Sequence, residues 1–169
     1  LAKEKNNSRS VLLFKYLYKQ LFHHEKKEGT GRELLGDKGY DDGKLVTRLY
    51  DDLAIKPVID IRNCWKDGEL TRTVPGKENV VYDYKGTVYC VCPATGKYRE
   101  MAYGGFEKDR GTLKYTCPAL AYGTTCEGCR KCPVKKSIRI DLGTDRRVFT
   151  PLARSSCAWK RMHDKRTAV

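Results

Sequence analysis

Residues 33–41 read ELLGDKGYD, and residues 56–61 read KPVIDI. The first stretch predicts a short buried strand at Glu33-Leu34-Leu35-Gly36, and the second predicts another at Pro57–Ile61, with proline at the start, where a missing N–H costs little. Between them, Asp42 to Leu53 has apolar residues at helical spacing. A strand, a helix and a strand within about 30 residues form a βαβ unit with parallel strands. We therefore expect an α/β fold.

Asp37 directly follows the first predicted strand. Open α/β sheets place their chemistry at the carboxyl ends of strands. A carboxylate flanked by Gly36 and Gly39 can approach a hard cation such as Mg²⁺ or Mn²⁺ without steric hindrance. The alternative is that Asp37 caps the following helix, although Asp41 and Asp42 lie nearer to the helix start. Both roles remain open.

The composition indicates a folded and strongly basic chain. It has 169 residues, of which 40% are hydrophobic, enough to bury a core. Lysine and arginine number 34 against 21 Asp and Glu, a net charge of +13. Such a surplus favours a polyanionic partner, because neutralising phosphates releases counterions.

Lysines interrupt the apolar stretch near the N-terminus, which excludes a membrane span there. Because the chain begins with Leu1 and stops within a helical pattern, we expect a fragment of a longer protein.

The chain divides into three predicted parts. Residues 1–62 contain an amphipathic helix over Ser10–Lys27 and the βαβ unit. Residues 63–136 consist of short β-rich runs separated by glycine and proline, which predicts antiparallel hairpins in an inserted lobe. Residues 137–169 return to the first domain: we expect regular structure at Ile138–Leu142 and Arg147–Thr150, then a helix that starts near Ser155 or Ser156.

The inserted segment carries a cysteine cluster. Two overlapping C-x₂-C steps join Cys126, Cys129 and Cys132, and Cys117 lies nine residues upstream. Four thiolates at such spacing predict a structural Zn²⁺ site. Two alternatives remain. The spacing also matches part of the motif that binds an iron–sulfur cluster, and the thiols could instead be unliganded or bridged. We interpret Cys90 and Cys92, on one short strand, as packing residues that face opposite ways and do not share an ion.

Basic residues accompany the cysteines. They would give the lobe a face suited to the DNA backbone, although such a charge run is usually a solvated surface. These residues are Arg130, Lys131, Lys135 and Lys136.

The stretch from Gly36 to Asp41, followed by the proline-valine-isoleucine strand, resembles the second catalytic block of insertion-sequence DDE transposases, which have an RNase H-like catalytic domain. The end of the chain is similar to the same family. That family has a tyrosine, an arginine three residues later and a catalytic glutamate four residues after that. Arg166 occupies the arginine position, His163 replaces the tyrosine, and the glutamate would directly follow Val169. Positions with this spacing share one helix face.

The resemblance implies metal-dependent cleavage and transfer of DNA strands, carried out with two Mg²⁺ ions. Asp37 would bridge these ions in the complete enzyme. Arg166, His163 and Lys38 would contact DNA or support the site, and the cysteine cluster would be a structural staple. The partners would be transposon ends and target DNA, with a homodimer in the full-length protein. The setting would be the prokaryotic cytoplasm, at the nucleoid. Because the first aspartate and the final glutamate would lie outside this sequence, we expect no activity from the chain alone.

A second hypothesis rests only on the net charge of the chain and on the cysteine cluster from Cys117 to Cys132. It is a zinc-stabilised, non-catalytic nucleic-acid-binding module, in which Asp37 and Arg166 have no spatial relation. A brown iron–sulfur electron carrier is a third hypothesis, which nothing else in the sequence favours.

Overall fold

The structure is a computed structural model that describes residues 32–167, without the side chains of residues 166 and 167. The helix predicted over Ser10–Lys27 lies outside this range. The described chain is a mixed α/β structure with three small sheets.

The βαβ unit is present as predicted, but its first strand is not the buried strand expected, because only Gly36 of its four residues is buried and Leu35 is 40% exposed. Strand β1 (Glu33–Gly36) pairs in parallel with β2 (Lys56–Ile59), and helix α1 (Gly43–Asp51) connects them. The helix forms because Asp42 caps its N-terminus: its carboxylate accepts from the backbone N–H of Lys44 at 2.7 Å and of Leu45 at 3.3 Å.

A four-stranded antiparallel meander follows. Its strands are β3 (Arg72–Val74), β4 (Lys77–Tyr82), β5 (Val88–Val91) and β6 (Tyr98–Glu100), in that spatial order. Gly86, in the turn after β4, has φ of +86°, and a Cβ there would lie 3.1 Å from the carbonyl oxygen of Val148. The turn therefore needs glycine both for its conformation and for close packing.

The third sheet has three antiparallel strands, β7 (Ala102–Glu107), β8 (Thr112–Thr116) and β9 (Ser137–Asp141). β9 pairs with β8 along its whole length, from Thr112 opposite Asp141 to Thr116 opposite Ser137. The strand expected after residue 137 is therefore present, and it extends a sheet formed within the β-rich segment. The short helix α2 (Pro118–Tyr122) lies in the long connection from β8 to β9.

One hydrophobic cluster joins the two antiparallel sheets to the segment after β9. It includes Val80, Leu113, Ile140 and Phe149, each no more than 1% exposed. The residues from Arg32 onward form a single compact unit. The β-rich segment thus shares its core with residues that follow it in the chain.

Helix α3 (Cys157–Thr167) begins where the sequence predicts and packs against β1 and β2. The preceding stretch Arg147–Thr150, expected to be regular, is instead a turn followed by irregular chain. None of the helices in the described part of the chain has both the length and the apolar character that crossing a bilayer requires.

Candidate functional sites

Asp37 lies at the carboxyl end of β1 with its side chain exposed. Its Oδ1 atom accepts a 2.7 Å hydrogen bond from the backbone N–H of Gly39 and so caps the short 3₁₀ helix Lys38–Tyr40. Asp42, and not Asp37, caps α1. Within residues 32–165, the second carboxylate oxygen of Asp37 has no hydrogen-bond partner. Capping and cation binding are therefore compatible at this residue.

A second carboxylate lies at the same edge. Asp60 follows β2, and its backbone N–H donates to the carbonyl oxygen of Gly36 at 3.3 Å, directly before Asp37. Lys38, a predicted site residue, places its Nζ atom 3.6 Å from the carboxylate of Asp60. Asp60 was not among the predicted site residues, although its position directly after a predicted parallel strand was a signal that could have suggested it.

Asp41 forms a buried ion pair across the molecule. Its side chain is fully buried and receives two hydrogen bonds from Arg147, at 2.9 Å from Nε and 2.8 Å from Nη2. The backbone N–H of Arg62 donates to the same carboxylate at 2.8 Å, and Arg147 donates to the carbonyl oxygen of Arg62. Asp41 is thus a structural anchor between the βαβ unit and the segment before α3, and does not cap α1 as expected.

Arg154 strengthens this junction. Its guanidinium donates to the carbonyl oxygens of Ile59 at 3.2 Å, Arg147 at 3.1 Å and Val148 at 2.8 Å. Burial lowers the pKa of Arg154 to about 10, so it stays charged at neutral pH. The contact with Ile59 ties the approach to α3 to the strand end next to Asp60.

The terminal helix carries two of the predicted site residues, His163 and Arg166. The ring of His163 stacks on Trp159, with centroids 4.5 Å apart and planes 17° from parallel. The backbone of Arg166 continues the helix, and its side chain lies outside the described residues. Because α3 packs on β1 and β2, Asp37 and the terminal helix belong to the same part of the fold. Convergence of their side chains stays a prediction.

Six cysteines line one small pocket. The four predicted zinc ligands, Cys117, Cys126, Cys129 and Cys132, all reach it, and so do Cys90 and Cys92. The interpretation that Cys90 and Cys92 face opposite ways was wrong, because residues two apart on a strand point to the same side. Both residues are buried.

The thiols differ in their electrostatic surroundings. Hydrogen bonds from Thr95, from the backbone N–H groups of Ala94 and Thr95, and from Gly128 lower the pKa of Cys92 to about 6. Burial raises the pKa of Cys90 to about 11, with smaller contributions from neighbouring thiols. The lowered pKa makes the Cys92 thiol easier to deprotonate than the Cys90 thiol.

The sulfur of Cys126 lies 3.9 Å from that of Cys92, and the side-chain amide of Asn79 donates to Cys132 at 3.4 Å. In the range 32–165, no three His, Cys, Asp or Glu side chains already enclose a point at which an ion could bind. The pocket therefore brings the predicted thiols together without forming a closed coordination sphere.

Four cations surround the cysteine loop. Arg130, Lys131, Lys135 and Lys136 are all exposed, and Lys135 also lines the pocket together with Arg99. These positive charges leave the exposed face of the loop basic.

Comparison of the chain with protein-family models, with curated proteins and with solved structures finds no match.

Proposed function

We propose that this chain forms part of the RNase H-like catalytic domain of a DNA transposase of the DDE type, with Asp37 as one of its metal-binding acids. One observation carries the proposal. Asp37 follows the first of two parallel strands, its side chain is exposed at their carboxyl edge, and the terminal helix packs on the same two strands.

The carboxyl edge has the donor chemistry that a hard cation needs. Asp37 keeps one oxygen outside its capping hydrogen bond, and Asp60 directly follows the neighbouring strand. Oxygen ligands of this kind suit Mg²⁺ or Mn²⁺. Bound there, the metal would supply phosphoryl-transfer chemistry by activating a water or a 3′-hydroxyl and stabilising the leaving oxygen.

One basic residue at this edge, Lys38, fits a DNA substrate. Lys38 is 59% exposed at its side chain and contacts Asp60, so its ammonium group lies within reach of a phosphate bound at the edge. We assign DNA contact or support of the site to His163 and Arg166 on the terminal helix. The net charge of +13 supplies attraction to the backbone of any nucleic acid.

Binding of Mn²⁺ to the isotope-labelled chain tests the proposal. We expect paramagnetic broadening of NMR signals centred on the backbone amides next to Asp37 and Asp60. Asp37→Asn should abolish it while keeping the fold, because the asparagine oxygen still accepts from Gly39. Asp52→Asn, at a carboxylate 62% exposed that faces Arg48, is the matched control and should leave the broadening unchanged. Broadening that is absent, centred elsewhere or insensitive to Asp37→Asn overturns the proposal.

The thiol pocket and the cations around it favour a second candidate, a zinc-stabilised nucleic-acid-binding module without catalysis. This candidate predicts that DNA binding, measured by fluorescence anisotropy, responds neither to Mn²⁺ nor to Asp37→Asn. The transposase proposal predicts that Mn²⁺ strengthens DNA binding and that Asp37→Asn removes this effect.

A further inference from the structure

The thiol pocket is formed by three segments that are distant in sequence. Cys92 follows β5, Cys117 precedes α2, and Cys126 to Cys132 belong to the loop that leads to β9. Cys92 and Cys126 are 34 positions apart. An ion bound here would therefore link the four-stranded meander to the connection between β8 and β9.

The separation of two sulfurs matches tetrahedral zinc coordination. With Zn–S bonds of about 2.3 Å, two sulfurs at the tetrahedral angle are separated by about 3.8 Å. The sulfurs of Cys92 and Cys126 lie 3.9 Å apart. These two side chains already have the spacing of two ligands to one Zn²⁺.

The loop that carries Cys126 approaches Cys92 closely through Gly128. A Cβ on Gly128 would lie 2.9 Å from the Cys92 sulfur, so only glycine allows this approach. Gly128 lies two positions after Cys126, so the close approach at this glycine also brings Cys126 toward Cys92.

Cys92 is as buried as Cys90, so membership of the hydrophobic cluster and exposure, and not burial alone, separate the remaining cysteines into ligands and bystanders. Cys117 and Cys132 are half-buried, and both interact with Cys90 and pack on the edge of the hydrophobic cluster. Cys90 belongs to that cluster as a buried member, whereas Cys129 is exposed. Two half-buried thiols therefore remain to complete the pair, after rotation of their side chains toward it.

We propose that Cys92, Cys117, Cys126 and Cys132 bind one structural Zn²⁺, with Cys90 beneath the site as a packing thiol and Cys129 on its rim. Binding displaces the protons that the thiols still hold and changes no oxidation state. Arg99 and Lys135 line the pocket and offset the excess negative charge of four thiolates around one Zn²⁺. The ligand set differs from the sequence prediction by the replacement of Cys129 with Cys92. It does not depend on the transposase proposal.

The test measures metal stoichiometry by native mass spectrometry and affinity by competition with a chromophoric chelator, using the chain purified under reducing conditions. We expect one Zn²⁺ per chain. Cys92→Ser should weaken binding by at least about 10-fold, the loss seen when even an outer partner of a metal ligand is removed. Cys129→Ser, the matched control, should bind as tightly as the parent chain.

Two further variants keep the test decisive if Cys92→Ser folds poorly. Cys92→His, which restores a zinc ligand, should recover one Zn²⁺ per chain and shift the absorption of the Co²⁺-substituted protein toward three sulfurs and one nitrogen. Gly128→Ala should weaken Zn²⁺ binding while keeping all four ligands. Loss of zinc from Cys129→Ser with retention in Cys92→Ser overturns the ligand set. A metal-free chain, two ions per chain, or a Cys92–Cys126 disulfide in the reduced preparation overturns the site.

Discussion

At the scale of single residues, four aspartates near the parallel strands have four different tasks. Asp42 caps α1, Asp37 caps a 3₁₀ turn and keeps one oxygen exposed, Asp60 pairs with Lys38, and Asp41 is buried against Arg147. Their surroundings, and not their residue type, decide which of them is structural. Burial separates Asp41 from the other three.

Loss of the Asp41 carboxylate should be costly. Asp41→Asn leaves the guanidinium of Arg147 with a neutral partner in a largely buried place, and breaking such a pair costs about 3–5 kcal/mol. Urea unfolding measures the change. Asp52→Asn disrupts an exposed pair with Arg48 and should cost less than about 1 kcal/mol. Equal losses in the two variants would contradict the anchoring role of Asp41.

Tyr115 should make the protein sensitive to alkali. Burial raises the pKa of its hydroxyl well above the ordinary value of 10.0. A group whose pKa is raised on folding contributes stability that is complete below the unfolded pKa and is lost as pH rises above it. The free energy of unfolding should therefore fall as pH rises past about 10, and less steeply in Tyr115→Phe. Parallel pH curves for the two proteins would rule out this role.

At the scale of elements, local signals determine what the sequence predicts well. The βαβ unit and the start of α3 follow from residue spacing and caps within a few residues, and both are confirmed. The pairing of β9 with β8 and the contact of Asp41 with Arg147, 106 positions away, depend on the rest of the chain. No local pattern encodes them.

The candidate sites show the same division. Asp37 and the cysteine loop could be proposed from the sequence because their neighbours in sequence carry the pattern. Asp60 was overlooked although the predicted parallel pairing already put it at the same sheet edge as Asp37, and Cys92 was overlooked because the sulfur that it contacts lies 34 positions away. The wrong orientation assigned to Cys90 and Cys92 was an error of strand geometry that the sequence could have corrected.

The crossover helix should depend on its cap. Asp42→Ala removes the acceptor for two backbone N–H groups and should lower the free energy of unfolding by about 1 kcal/mol. Gly43→Ala is the control at the next position, where a Cβ meets its nearest neighbour at 3.7 Å and alanine favours the helix. We expect the control to be neutral or stabilising in the same urea titration, whereas destabilisation by both would point to packing instead of capping.

At the scale of the whole molecule, the charge is the property that acts on a distant partner. The net charge of +13 predicts that affinity for duplex DNA falls steeply with salt. Changing the four cations of the cysteine loop to glutamine should reduce the slope of log K against log[salt] by up to about 3.6, since each phosphate contact contributes about 0.9. These cations are Arg130, Lys131, Lys135 and Lys136.

A control of equal net charge distinguishes a local face from bulk attraction. It replaces four exposed cations outside the cysteine loop with glutamine: Lys44, Lys66, Lys108 and Arg110. Fluorescence anisotropy over a salt series should show a smaller change of slope for this control. The same change in both quadruple variants would mean that the cysteine loop does not contact DNA.

The connection between β8 and β9 is closed at its base. The backbone N–H of Cys117 donates to the carbonyl oxygen of Lys136 at 2.9 Å, directly beyond the last pair of the two strands. The chain between these two residues therefore leaves the sheet and returns to it at two neighbouring points. These points are separated by the spacing of two paired strands, about 5 Å. The segment is nevertheless tied to the rest of the fold, because Val134 belongs to the shared hydrophobic cluster and Cys126 contacts Cys92. A change in the length of this connection should therefore leave the register of β8 and β9 intact and disturb the thiol pocket instead.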